Sequence, residues 1–218
     1  MTPEVAEALT RPVVSGALAV VIVLVLVAGG SVAVLDTVAH EGAHVAVGML
    51  TGRRVLNFEV TDGDSGGTYS EKTGWGPGRI LTSFAGYVAP PLLGLAGAAL
   101  LVAGEAWPLL WAVVVLLVLA WIKARNDLTT FVLVLLAGFI GYVALYGTPV
   151  LQAAFAAGLV WLLLISGLRS AVMSSTDDRS DAASLARDTL IPRVVWKAIF
   201  VAVALYCLYV GTHLLLNI

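Results

Sequence analysis

Residues His40-Glu41-Gly42-Ala43-His44 form an H-E-x-x-H motif. On an α-helix, side chains at positions i and i+4 lie on one face, so both imidazoles can bind the same metal ion. Bound zinc lowers the pKa of a water molecule, and a neighbouring carboxylate can then accept its proton. The spacing therefore predicts Zn2+ as the cofactor, His40 and His44 as metal ligands and Glu41 as the catalytic base.

The motif lies within an apolar segment, residues 34–50, whose sequence is VLDTVAHEGAHVAVGML. A charged side chain in the middle of a membrane span is disfavoured by about 2.5–3.5 kcal/mol. A structural role, in which these polar side chains bond neighbouring helices, would not account for their metal-ligand spacing. The clustered ionisable groups therefore indicate a functional site.

The composition indicates a membrane protein. Hydrophobic residues make up 60% of the 218 residues and charged residues only 12%, with a mean hydropathy of +0.97. A soluble domain has about a quarter charged residues, so we interpret residues 1–218 as a single transmembrane domain in a lipid bilayer. The net charge of −2 argues against binding to nucleic acid. The single cysteine, Cys207, excludes an internal disulfide and a cysteine-based zinc cluster.

The apolar segments predict an all-α fold, a polytopic bundle of transmembrane helices. A bilayer core of about 30 Å requires roughly 20 apolar residues of helix. Seven spans are predicted, at about 13–28, 31–51, 80–104, 106–124, 129–146, 148–167 and 194–216. The candidate turn between the first two spans is Gly29-Gly30-Ser31. The alternative is one long, glycine-kinked helix from 13 to 51, which would leave six spans.

Lysine and arginine residues indicate the orientation of the bundle. They concentrate in the loops at about 53–79, 123–128 and 168–193, and the intervening turns near Glu105 and Gly147 have none. The positive-inside rule places the three basic loops in the cytoplasm. At 1.5 Å per residue, His44 lies about 13 Å along the helix from Arg53. We therefore expect a multi-pass protein of the cell membrane with its active site toward the cytoplasmic side.

The first substantial polar loop, residues 53–78, predicts a small cytoplasmic β-hairpin. RVLNFEV alternates loosely, DGDSGG has the composition of a turn, and TYSEK can return as a second strand. Its edge is suited to pairing with unwound substrate, and equally it can be a surface hairpin that covers the helices. A second polar loop, 175–192, is interpreted as a solvated connector that contains a short amphipathic stretch.

An H-E-x-x-H motif in a transmembrane helix that follows an apolar span resembles the site-2 protease family of intramembrane zinc metalloproteases. The stretch HEGAHVAVGMLTGRRV is similar to the short, PDZ-less bacterial branch of that family. The similarity continues through SFAGYVAPPLLG to ARND, so the metal-site core covers about residues 31–145, with additional spans at 148–167 and 194–216. The resemblance implies an endopeptidase of the bacterial plasma membrane that cleaves a transmembrane protein substrate within or near its membrane helix.

A zinc protease requires a third protein ligand, and the family usually supplies it as the aspartate of an L-D-G motif. This chain has no L-D-G, and Asp127 is the only acidic residue between Glu105 and Asp177. Charge places Asp127 on the same side of the membrane as the end of the motif helix, so we predict it as the third ligand. The alternatives are a loop carboxylate that neutralises nearby basic residues, and Asn126 as a weaker ligand or an oxyanion donor.

The missing L-D-G motif also leaves a second functional hypothesis. A zinc-binding polytopic membrane protein without protease activity, such as a receptor, chaperone or transporter, would not require that motif. Glu41 argues against this hypothesis. Metal binding alone does not require this carboxylate, whereas a zinc protease does, so its presence favours the protease. The substrate and the oligomeric state are not determined by the sequence.

Overall fold

The computed structural model describes residues 9–52, 55–61, 65–70, 76–122, 124, 127–178 and 180–217, and describes only the backbone of residues 27–34, 55–61, 65–70 and 128. Within these ranges the chain is helical apart from one pair of strands. The helices are α1 (Arg11–Leu50), α2 (Pro77–Val102), α3 (Ala106–Ile122), α4 (Asp127–Tyr146), α5 (Pro149–Met173), α6 (Asp181–Thr189) and α7 (Arg193–Leu216). The strands are β1 (Val55–Thr61) and β2 (Ser65–Ser70).

Long apolar helices dominate the described part of the chain. Four segments are long and apolar enough to cross a membrane: Pro77–Val102, Thr129–Tyr146, Pro149–Met173 and Arg193–Leu216. Two shorter apolar stretches, Arg11–Leu26 and Ala106–Ile122, accompany them. The predicted class, an all-α membrane protein, is therefore confirmed, whereas the number of membrane crossings stays a prediction.

The predicted turn at Gly29-Gly30-Ser31 is not formed. Helix α1 continues through these residues as one element of 40 residues. A glycine inside a helix costs about 1 kcal/mol relative to alanine, which is too little to end a helix between two apolar segments. The predicted turn is therefore wrong, and the continuous helix agrees with the alternative of one long, kinked helix, while both span counts stay predictions.

Helix α1 is nevertheless not straight. The Trp161 indole nitrogen donates to the Val14 carbonyl at 3.2 Å, and Ser166 donates to the Asp36 carboxylate at 3.3 Å. Trp161 and Ser166 are five residues apart on α5, about 7.5 Å along its axis, whereas Val14 and Asp36 would be about 33 Å apart on a straight helix. Side chains cannot bridge the difference, so α1 bends between Val14 and Asp36 and both of its halves pack against α5.

The two strands pair antiparallel beside helix α1. Thr61 pairs with Ser65 at one end and Val55 pairs with Ser70 at the other, with an irregularity in the register between Val55 and Asn57. Both strands contact α1, so the pair lies on the helix that contains the H-E-x-x-H motif. These strands fall within the loop 53–78, and their position in the cytoplasm stays a prediction.

Helices α1, α2, α5 and α7 pack against one another and form the body of the bundle. Close approach of α2 and α5 depends on small residues: a Cβ atom added to Gly94 would lie 2.9 Å from Leu164, and one added to Gly97 would lie 2.7 Å from Val160. Helices α3 and α4 pack chiefly against each other. This arrangement places α1, α2 and α5 around one common interior.

Gly167 provides a test of this packing. An added Cβ would lie 2.9 Å from Cδ and 3.1 Å from the backbone nitrogen of Pro91, atoms of the α2 helix that cannot rotate away. We expect Gly167→Ala to destabilise the protein by about 1–3 kcal/mol, as overpacking of a core does, and to lower its thermal unfolding temperature in detergent.

The matched control is Gly158→Ala on the same helix, where an added Cβ meets nothing within 4 Å. It should leave the unfolding temperature unchanged or raise it, because alanine is the better helix former. Equal unfolding temperatures for the two variants would contradict the close contact between α2 and α5.

Candidate metal centre

Three donor atoms from two distant segments meet at one point. The Nε2 atoms of His40 and His44 are 3.1 Å apart. An Asp181 carboxylate oxygen, Oδ2, lies 3.2 Å from each of these nitrogens. Among the described residues these three side chains form the group of histidine and acidic donors that could hold a metal ion.

The size of this triangle fits a zinc ion. Ligands at about 2.0–2.1 Å from zinc, arranged tetrahedrally, are separated from one another by about 3.3–3.4 Å. The observed separations of 3.1 and 3.2 Å are close to that value. Two imidazole nitrogens and one carboxylate oxygen are also donors that zinc accepts. The three side chains therefore form one face of a tetrahedral site.

Helix α1 presents both histidines because they are four residues apart. The Nδ1 atom of His44 donates to the backbone carbonyl of Thr82 on α2, at 2.7 Å. That bond places the proton on Nδ1 and leaves Nε2 unprotonated for a metal. The His40 ring packs edge-on against Tyr87, with ring centroids 4.5 Å apart. Neighbours on α2 thus fix the orientation of both rings.

The surface of α2 beneath the imidazoles is a glycine. A Cβ atom added to Gly86 would lie 2.6 Å from Cε1 and Nε2 of His44 and 2.7 Å from Cε1 of His40. Both rings are rigid, so neither could move away without moving its donor atom. The absence of a side chain at Gly86 is therefore a requirement of the metal centre.

Asp181 is the first residue of α6, a helix of nine residues. The Ser180 side chain accepts a hydrogen bond from the Ala183 backbone nitrogen and caps this helix. Burial would raise the pKa of the Asp181 carboxyl, but the two adjacent imidazoles of His44 and His40 hold that pKa well below its usual range. Asp181 is therefore an anion at neutral pH, which is the form that binds metal.

Glu41 lies beside this group on α1 and is buried. At 100° per residue it is about 60° around the helix from His44, so its carboxylate belongs to the same side of α1. A carboxylate there can exchange protons with groups bound at the metal centre without being one of its ligands.

Asp36, one turn before His40, takes part in a different contact. Its carboxylate accepts hydrogen bonds from the hydroxyls of Ser166 and Ser170 on α5. These bonds tie the part of α1 that carries the two histidines to α5 at a buried position.

The structure does not bring Asp127 to the two histidines. Asp127 is the exposed first residue of α4, where its charge suits the positive end of the helix dipole. Its helix packs chiefly against α3, whereas the helices next to the histidines are α2 and α5. The group that could hold a metal contains Asp181 in the place for which the sequence suggested Asp127. Asn126, the alternative, lies outside the described residues.

A family profile described as Peptidase M50B-like matches residues 13–211. The chain belongs to this family. It is the site-2 protease family, so the resemblance found in the sequence is confirmed. No curated protein and no solved structure matches the chain.

Within this M50B-like chain, Asp181 is the residue that sequence reasoning missed. It lies in the loop 175–192, which was interpreted as a solvated connector, and beyond the expected core of residues 31–145. A local signal was present: Ser180 is a helix-capping residue, and Ala182, Leu185 and Asp188 recur at helical spacing after it. The apolar side of an amphipathic helix needs a packing partner, and here the helix packs on α2 and α7.

Gly86 and Gly42 make a matched pair for testing the centre. An added methyl group at Gly86 would displace both imidazoles, so we expect Gly86→Ala to weaken zinc binding at least about tenfold. Gly42 lies inside the motif itself, yet an added Cβ there meets nothing within 4 Å. Gly42→Ala should therefore keep its zinc. Zinc per purified chain, measured by elemental mass spectrometry, decides between them, and equal zinc content in both variants would contradict the described packing of α1 on α2.

Proposed function

We propose that the chain is an intramembrane zinc metalloendopeptidase that cleaves membrane-protein substrates within or near a transmembrane helix. The observation that carries the proposal is the donor triangle of His40, His44 and Asp181 with Glu41 on the same side of α1. Membership of the M50B-like peptidase family supports the reaction class. The apolar helices around the site support a substrate that lies in the same bilayer.

We propose His40, His44 and Asp181 as the zinc ligands. Asp181 replaces Asp127 in this assignment because it is the carboxylate 3.2 Å from both imidazole nitrogens. Three protein ligands with a fourth position open are typical of catalytic rather than structural zinc. Zinc, when bound, supplies Lewis-acid chemistry: it lowers the pKa of a water molecule and polarises a peptide carbonyl.

Glu41 is the proton carrier of the proposed reaction. Its carboxylate accepts a proton from the attacking water, and the resulting carboxylic acid then protonates the amine nitrogen that leaves the scissile bond. Thr82 takes part through its carbonyl, which keeps the proton of His44 on Nδ1 and away from the metal.

The cytoplasmic placement of the site is part of the proposal. Asp181 lies in the connector between α5 and α7, and Arg187 in this connector and Arg193 and Lys197 at the beginning of α7 provide positive charge. An excess of Lys and Arg marks cytoplasmic loops, and the described site lies at the end of α7 that begins with Arg193. Water and a partly unwound substrate would reach the centre from that side.

A variant series separates metal binding from catalysis. Glu41→Gln should keep about one zinc per chain and lose all cleavage, because Glu41 transfers protons but is not a ligand. His44→Ala and Asp181→Ala should lose zinc and cleavage together, whereas Asp127→Ala should retain both. Zinc is measured on purified protein. Cleavage is measured by co-expression with candidate single-span proteins, with proteomic detection of shortened products.

Each outcome bears on a different part of the proposal. Cleavage by Glu41→Gln at the wild-type rate would refute the proton-transfer mechanism. Loss of zinc from Asp127→Ala but not from Asp181→Ala would restore the assignment made from the sequence. Zinc binding with no cleavage product in the wild type, across a broad substrate set, would favour the non-proteolytic zinc protein.

The orientation has its own test. Helix α7 lies between Thr176 and Asn217, both exposed, so a single crossing by α7 puts them on opposite sides of the membrane. In a Cys207→Ser background, a membrane-impermeant maleimide added to intact cells should label Asn217→Cys, and should label Thr176→Cys only after permeabilisation. External labelling of Thr176→Cys would place the metal centre toward the opposite face.

A further inference from the structure

Helix α6 carries two acidic residues on one face. Asp181 at its first position and Asp188 near its end are seven residues apart, which is about two turns and 10.5 Å. Asp181 meets the two histidines, as described above. Asp188 is buried, and its Oδ2 atom lies 2.8 Å from Nε of Arg79 at the beginning of α2.

Helix α2 has a matching pattern. Arg79, Thr82 and Gly86 follow one another at helical spacing, so they form one stripe on that helix. Arg79 binds Asp188, the Thr82 carbonyl accepts from His44, and Gly86 lies beneath both imidazoles. Arg79 and Gly86 are also seven residues apart. Helices α6 and α2 therefore run antiparallel: Asp181 lies at the level of Gly86, and Asp188 lies at the level of Arg79. The two levels are about 10.5 Å apart, roughly two helical turns.

We propose that Arg79 is a positioning residue of the metal centre. Its ion pair with Asp188 sets the position of α6 along α2, and thereby holds the Asp181 oxygen where the two imidazoles need it. This inference rests on the proposed assignment of Asp181 as a metal ligand.

The required accuracy makes such an anchor necessary. A carboxylate oxygen binds zinc at about 2.0–2.2 Å, and a shift of α6 by a single residue would move it about 1.5 Å along the helix axis. A helix of nine residues is too short to be stable alone, so contacts with its neighbours decide where it lies. Leu185 and Ala182 supply apolar packing, which tolerates sliding better than a short, buried contact between opposite charges does.

Two described hydrogen bonds hold the connector elsewhere. Thr189 accepts a hydrogen bond from the Trp196 indole at 3.1 Å, and Lys197 donates to the Ser174 carbonyl at 2.7 Å. Both tie the connector to α7 rather than to α2. The Arg79–Asp188 ion pair, in contrast, joins α6 directly to the helix that supports the histidines.

The experiment measures zinc affinity of the full chain in detergent by competition with a chelator. Arg79→Met keeps most of the side-chain length but removes the charge, and should weaken zinc binding about tenfold or more, as loss of groups that orient metal ligands commonly does. Arg79→Lys retains the charge without the guanidinium geometry, and should recover part of the affinity.

The matched control is Arg187→Met on the same helix. Arg187 is exposed and donates to the Asp178 carbonyl and to the Ser184 hydroxyl, so it holds the connector without touching α2. Its variant should bind zinc within about twofold of the wild type, since exposed polar contacts contribute little. Equal losses in Arg79→Met and Arg187→Met would overturn the inference.

A double variant separates positioning from folding. Arg79→Met combined with Asp188→Leu removes both charges, so no carboxylate is left buried without its cation. We expect its thermal unfolding without zinc to match the wild type while its zinc affinity stays about tenfold weaker. Wild-type zinc affinity in this variant would show that the ion pair does not set the position of Asp181.

Cleavage at saturating zinc distinguishes this inference from the proposed function. Excess zinc should restore the rate of Arg79→Met, because Asp181 is still present to bind, whereas it should not restore Asp181→Ala. Weak zinc binding by Arg79→Met in a protein that cleaves nothing would leave the inference standing and refute the protease. Unchanged zinc affinity in Asp181→Ala would refute the ligand assignment and with it the role of Arg79.

Discussion

Three electron-rich atoms lie 3.1–3.2 Å apart in an apolar surrounding, and the rest of the structure serves to hold them there. Two imidazole nitrogens with lone pairs toward each other and a carboxylate gain nothing from meeting without a cation between them. In water each would be solvated separately, whereas inside a helix bundle their positions are set by packing. The arrangement therefore depends on three features of the neighbouring helices. Gly86 leaves room for the imidazoles, the Thr82 carbonyl accepts from His44, and α6 is held at both of its ends.

The apolar surroundings explain why the site is formed by helices and why its polar groups are bonded within the protein. Backbone groups in a bilayer must be bonded within the protein, so the site is made on helices and its polar side chains bond to other side chains or to helix carbonyls. Asp36 shows the same constraint away from the metal, since serine hydroxyls of α5 bond its carboxylate. Helix α6 is much shorter than the others, and a helix of nine residues is not stable alone. The Ser180 cap and the Arg79–Asp188 pair stabilise it.

The sequence predicted the local parts of the site because they are governed by helix periodicity. His40, Glu41 and His44 lie within one turn, so their common side follows from spacing alone. The third donor is non-local, and no periodicity connects residue 181 to residue 44. Asp127 was chosen as the only acidic residue between Glu105 and Asp177, but its helix packs chiefly against α3. The turn predicted at Gly29 and Gly30 was wrong for a similar reason. Glycine destabilises a helix only slightly, and contacts with α5, distant in sequence, determine how α1 runs.

The separation of the donors along the chain has a consequence for biosynthesis. Asp181 follows His44 by 137 residues (181 − 44), so a nascent chain contains both histidines and Glu41 long before it contains the third donor. At about 5–20 residues per second, the interval is roughly 7–27 seconds. During that time the chain offers zinc only two of the three donors found in the finished site. With the proposed ligand set, the donor group is complete only after most of the helices have been made, so an unfinished chain lacks the third donor while neighbouring membrane proteins are inserted.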